Sequence, residues 1–221
     1  MKILDIPQSG KCGISVSVQS RFGQFRRALV VPKDPRTNDQ VRVRSALGRF
    51  SGLWNKLTDE QRRLWNARAN EERSHPRLGK NGRLTGQQLF VKINCILASV
   101  GKPMVTTPPD RPRFPDNPVG ELSITNSNGV IALELSVSRT PAADIIVRGA
   151  APCSQGVSFV RDFTILGLLL VASPGASEIT EMYVKRYGIP REGSRVFIRT
   201  NQEMEGWEDN FKQTTAVVPS H

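Results

Sequence analysis

Four carboxylates, Glu203, Glu205, Glu208 and Asp209, fall within residues 203–209. Acids this close together offer two kinds of chemistry, ligation of Ca²⁺ through oxygen or an acid/base pair for hydrolysis. The alternating Asp and the Gly of a calcium loop are missing, which favours a solvated loop. Trp207 inside the cluster then reads as a packing residue or an interface anchor rather than a sugar platform. The two histidines, His75 and His221, do not stand at ligand spacing from any Cys, Asp or Glu. Cys12, Cys95 and Cys153 form no CxxC pair and, being odd in number, no closed disulfide framework. A G-x-S-x-G elbow, a P-loop and a dinucleotide fingerprint are all missing. The expectation is a chain with no catalytic residue, no metal and no cofactor.

Basic residues make a better geometric case. Residues 1–118 carry 22 Lys and Arg against 9 Asp and Glu, whereas residues 119–221 carry 9 against 11, so the whole excess of the net +11 lies in the first half. Clustered guanidinium and ammonium groups attract polyanions across roughly a Debye length of 8–10 Å. Arg42, Arg49 and Lys56 recur every seven residues, nearly one row along a helix. Arg21, Arg26 and Arg27 flank Phe22 and Phe25, mixing planar donors with stackable rings, and Arg62 and Arg63 add to the same half, as do Arg77, Lys80 and Arg83. Arg21, Arg26, Arg27, Arg42, Arg49, Lys56, Arg62 and Arg63 are therefore the expected nucleic-acid or polyanion contacts.

The elements that would carry them follow from periodicity. Residues 13–32 are rich in Ile and Val and turn near Gly23, which reads as two short strands or a hairpin arm. From Asn38 to Leu57 apolar residues fall at three- and four-residue steps. Thr58-Asp59-Glu60-Gln61 supplies a capping box for a second helix running to about Glu72, and Thr85 caps a third with Leu89, Phe90, Ile93, Ile96, Leu97 and Val100 on one face. Trp54, Trp65 and Phe90 are candidates for the centre of a three-helix core. Residues 102–118 hold six prolines, too many for a helix or an inner strand, and read as a semi-rigid linker. Short β segments follow at Glu121–Thr125, Val130–Val137, Ala143–Gly149, Phe163–Val171, Arg195–Thr200 and Thr214–Val218, with a hairpin turn at Asn126–Gly129 and a helix at Ser177–Tyr187. The fold class expected is α+β: a basic helical module with an N-terminal β arm (1–101), a proline-rich linker (102–118) and an immunoglobulin-like or fibronectin-III-like β-sandwich with one inserted helix (119–221). The opening residues lack the apolar core of a signal peptide, and the longest apolar run, Phe163 to Ala172, is half of the ~20 residues a membrane span needs. A cytoplasmic or virion location is expected, with no membrane partner.

Residues 46–69, ALGRFSGLWNKLTDEQRRLWNARA, resemble the second and third helices of an HMG box, a likeness that implies minor-groove DNA binding and bending. The box's first helix is missing upstream, where Pro32 and Pro35 stand. More broadly, Gly10-Lys11-Cys12-Gly13 and the segment Pro35 to Arg44 resemble uncharacterised bacterial and prophage-associated proteins with an Ig-like end. That resemblance implies a structural or virion-associated role. The expected function is a non-catalytic structural or assembly protein. It would contact itself or other structural proteins through its β arm and β-sandwich, and DNA, RNA or another acidic partner through its basic half. The alternatives are an architectural DNA-binding protein, and a calcium-dependent carbohydrate binder or carboxylate hydrolase using residues 203–209.

Overall fold

The computed structural model describes residues 8–21, 23–31, 34, 36–73, 82–127, 129–169 and 174–220. It divides into two compact units, Met1–Val43 and Arg44–His221.

In the first unit, β1 (Gly10–Cys12), β2 (Ser15–Ser20) and β3 (Gly23–Ala28) form an antiparallel meander in that order, one strand more than the sequence reading. Gly13, at φ 57°, turns the chain between β1 and β2 in a conformation that L side chains avoid. The register pairs Lys11 and Arg27 with Val16, and Val18 with Phe25. Because strand side chains alternate, these five share one face, and Ser15, Ser17, Gln19, Gln24 and Arg26 share the other. Among the described residues of this unit the buried side chains are both polar, Ser17 and Gln24. Helix α1 (Asn38–Trp54) begins here and continues into the second unit.

In the second unit, α2 (Asp59–Ala69) and α3 (Gly86–Ser99) each start at a complete capping box. Thr58 Oγ1 accepts from Gln61 N and Gln61 Oε1 from Thr58 N, and Thr85 and Gln88 repeat the pattern. Phe50, Leu57, Trp65, Leu89, Phe90, Ile93 and Leu97 close an apolar core, with Trp65 edge-on to Phe90 at 5.3 Å between ring centroids.

The chain continues through β4 (Val119–Ser127), β5 (Val130–Val137), β6 (Asp144–Gly149), β7 (Cys153–Ser154), β8 (Thr164–Leu168), β9 (Gly175–Glu178), α4 (Thr180–Tyr187), β10 (Ser194–Met204), β11 (Trp207–Glu208) and β12 (Lys212–Val217). One antiparallel sheet has the order β4-β5-β9. The other runs β11-β10-β6-β8, with β12 and β7 also on β10. A second core joins Leu122, Leu133, Leu135 and Val137 of the first sheet to Ile145, Val147, Val196 and Ile198 of the other and to Tyr183 of α4. The Tyr183 hydroxyl donates to Ala150 O at 3.0 Å, and burial, with Tyr187 and Cys153 beside it, pushes the phenol far above its usual pKa.

The expected α+β architecture is overturned. Four helices and twelve strands in three antiparallel sheets, 26% helix against 36% strand, make the described chain mainly β, not an N-terminal three-helix module. The helices have no core of their own: Trp207 of β11 is buried among them, and Met104, Val105 and Phe114 of the proline-rich segment pack against the same cluster. Nor does that segment behave as a tether. Val105 N donates to Asn94 Oδ1 at 2.9 Å, Asn94 Nδ2 donates back to Val105 O at 3.2 Å, and Trp65 Nε1 donates to Thr106 O at 2.8 Å. Proline removes a donor but leaves its carbonyl, so an extended, proline-rich chain serves well as a row of acceptors. Pro109 O accepts from Trp207 Nε1, and Pro115 O from Gln202 Nε2. Composition excluded helix and inner strand for this stretch but said nothing about whether it was packed.

Candidate binding surface

The eight basic residues expected to form one polyanion site are divided between the units: Arg21, Arg26, Arg27 and Arg42 in the first, Arg49, Lys56, Arg62 and Arg63 in the second. In the first unit Arg21 is exposed after β2, and Arg27 lies on the Val16–Phe25 face of the meander. Arg26 is on the polar face, donating from Nε to Ser17 Oγ at 3.2 Å and from Nη2 to Gln8 Oε1 at 2.6 Å. Arg42 is exposed on α1.

In the second unit the arginines serve the fold. Arg62 Nη2 donates to Asn55 O at 2.8 Å and Nε to Trp54 O at 3.4 Å, satisfying carbonyls that the end of α1 leaves without helical partners. Its Nη1 pairs with Asp59 at 3.1 Å, as Arg63 does with Glu60 at 3.3 Å. Arg49 lies 5.3 Å from the ring centre of Phe50. The seven-residue row breaks at Lys56, because α1 ends at Trp54, not Leu57: Asn55, Lys56 and Leu57 donate to carbonyls three residues back, tightening the chain out of the helix. Phe22, His75, Arg77, Lys80 and His221 lie outside the described residues.

The carboxylate cluster is a hairpin. Glu205 at φ 52° and Gly206 at φ 85° form a two-residue turn with both φ positive, the geometry that matches strand twist, and join β10 to β11 through the pair Met204 and Trp207. Glu203, fully buried, accepts from Gly206 N at 2.6 Å and from Lys102 Nζ at 2.5 Å, while Lys102 also reaches Asp144 at 2.7 Å. Desolvation pulls the Lys102 pKa down, but Asp144 and Glu203 outweigh it and leave the ammonium above its usual value. Glu208 pairs with Arg148, and Asp209 accepts from Gln202 Nε2 and Asn210 N. The acids are thus largely taken up by protein donors, and among the described residues no group of three or more His, Cys, Asp or Glu is placed to hold a metal. Trp207 has Arg68, Arg111 and Lys92 at 5.6, 5.7 and 6.0 Å from its ring. These three basic residues would have needed knowledge of the fold to find, since only the β10–β11 hairpin brings the indole among them.

Exposed apolar side chains occur in both units, and the first, small as it is, carries seven of them. Ile14 is 89% exposed, Val30 70%, Val31 82% and Phe25 38%, and Leu29, Val41 and Val43 are exposed as well. Of these, Phe25 shares one face of the meander with Lys11 of the outer strand β1 and with Arg27, a surface both apolar and cationic. Such a surface suits a partner with apolar side chains and acidic neighbours, and a strand edge can pair with another chain. Among the described residues no helix is long and apolar enough to cross a membrane. The chain has no significant match among protein-family models, curated proteins or solved structures.

Proposed function

We propose that the chain is a non-catalytic assembly protein whose first unit docks on a neighbouring protein in a larger structure. One observation carries this reading: among the described residues of its unit, a three-stranded sheet buries only Ser17 and Gln24, while Val16, Val18 and Phe25 on the other face are half-buried or exposed. Small sheets need an apolar face packed against something to be stable alone, so the unit has reason to complete its core on a partner. Lys11 and Arg27 on that face call for acidic groups around the contact. The resemblance to prophage-associated proteins supports a virion as the setting.

Sedimentation velocity of the full chain tests it. Wild-type protein is expected to gain mass with concentration, and Phe25→Asp to remain monomeric with its melting temperature unchanged. A strict monomer at high concentration, with no complex on adding duplex DNA, overturns the proposal. A complex with DNA whose log affinity falls steeply with log salt would instead support the architectural DNA-binding reading, which the exposed Arg42 and Arg49 of α1 favour.

A further inference from the structure

Successive β10 residues alternate between two environments. Val196 and Ile198 enter the core between the sheets, whereas Arg195, Phe197, Arg199, Asn201 and Glu203 point to the opposite face. On that face the Cα partner of Arg199 across the ladder is Arg148 of β6. Two guanidinium groups directly opposite on neighbouring strands repel each other, and the protein resolves only one of them. Arg148 is met by Glu208 and by Asn201 Oδ1. Arg199 has no carboxylate within 4.0 Å among the described residues.

Arg199 is nevertheless held firmly. Its Cζ lies 3.9 Å from the ring centre of Phe163 and 4.2 Å from that of Phe211. The rings come from opposite sides of β10. Phe211 precedes by two residues Gln213, the β12 partner of Arg199, and Phe163 precedes by two residues Ile165, the β8 partner of Arg148. Strands β12 and β6 flank β10 at Arg199, so the guanidinium plane is enclosed between two aromatic faces. Its Nε edge is taken, donating to Gln213 Oε1 at 2.8 Å. One direction is left, the edge carrying both terminal nitrogens, which are not buried and have no protein acceptor among the described residues. Burial lowers the Arg199 pKa, and Arg148 adds to the effect, so an anion at that edge would relieve an existing strain on the charge. Cation–π attraction to the two rings fastens the segments before β8 and β12 to the sheet and offsets the repulsion from Arg148, but it supplies no anion to the guanidinium.

We propose that Arg199 is the receptor of a binding site for a carboxylate carried on an apolar body, gripped end-on by the two terminal nitrogens. With both faces covered, the open edge offers two parallel N–H donors in one plane, which match a planar carboxylate. Phe211, 57% exposed beside the guanidinium, offers the ligand's apolar part a surface. This site lies within the second unit and does not depend on the docking role of the first.

The test titrates the full chain with benzoate, acetate and inorganic phosphate, following the Arg199 Nε–Hε signal by NMR. Benzoate is expected to shift that signal saturably and to bind more tightly than acetate, with phosphate weakest. Arg199→Lys keeps the charge and the aliphatic stem but loses the flat fork, and should weaken benzoate binding about tenfold or more. Phe211→Leu should narrow the preference for benzoate over acetate. An unmoved Nε–Hε signal, unchanged affinity in Arg199→Lys, or phosphate binding most tightly would each overturn the proposal. The wild-type signal decides the matter even if a variant fails to fold.

Discussion

Replacing Trp207 with alanine should destabilise the helices although no helix contains it. The indole is 2% exposed and belongs to the cluster of Phe50, Trp65, Phe90, Ile93 and Leu97. Removing a buried Trp from a packed core costs about 3–5 kcal/mol, from lost transfer energy and from the cavity left behind. The lost bond to Pro109 O and the cations around the ring fall within that range rather than adding to it. Against a typical domain stability of about 5–15 kcal/mol, the variant retains between almost none and about four fifths of its stability. Urea unfolding followed by far-ultraviolet circular dichroism would show the helical signal lost at a much lower midpoint. Leu133→Ala, in the core between the sheets, should lower the same single transition by about 2–5 kcal/mol. The reasoning fails if the helical transition of Trp207→Ala matches wild type, or if residues 1–101, which lack Trp207, Val105 and Phe114, melt cooperatively by themselves.

Thr58→Ala and Thr85→Ala each remove a capping-box acceptor, and each should cost about 1 kcal/mol in urea unfolding; no loss in either would argue that water replaces the cap. Gly206→Ala adds a Cβ 2.5 Å from Ile93 Cγ2 at a residue with φ 85°, so it should cost about 1–3 kcal/mol, whereas Glu205→Gly, at φ 52°, should be neutral or stabilising in the same assay. The proton on Lys102 is held more tightly in the folded chain than in the unfolded one, and so is that on Tyr183. Their stabilisation is therefore complete below about pH 10 and declines as pH rises beyond it; a urea midpoint unchanged between about pH 8 and about pH 11 contradicts both.

Local signals were legible where the chain answers only to its neighbours. The Thr58 and Thr85 caps could be read because both partners of each box lie within four residues, and Val130–Val137 because its alternation matches one buried face. The reading stopped where a distant strand decides. Ser177 and Glu178, read as the start of a helix, pair with Leu135 and Glu134 in β9, so α4 starts only at Thr180. Trp207 could not be assigned to the helical core because nothing near it in sequence announces helices. The prolines of 102–118 excluded ladders but left open whether their carbonyls faced water or Trp65, Trp207 and Gln202.

Charge is the sharper lesson, because a sum over residues and a binding site measure different things. The sum drew attention to the first 118 residues, where Arg62 caps α1, and Arg63, Arg68 and Arg111 sit against Glu60, Glu71 and Glu72. Residues 119–221 carry 9 basic against 11 acidic residues, so their total gave no reason to look there. Yet a site depends on what remains after neighbours have paired, and pairing is set by ladder register. Glu208 goes to Arg148, Glu203 and Asp144 go to Lys102, and Arg199, facing Arg148 between two phenyl rings, is left without an acid. A residual of one guanidinium vanishes in a net charge, but fixed in place with one edge open it is a more specific receptor than a row of mobile arginines. Specificity for an anion comes from donors already held in position, since a flexible side chain must lose its freedom on binding.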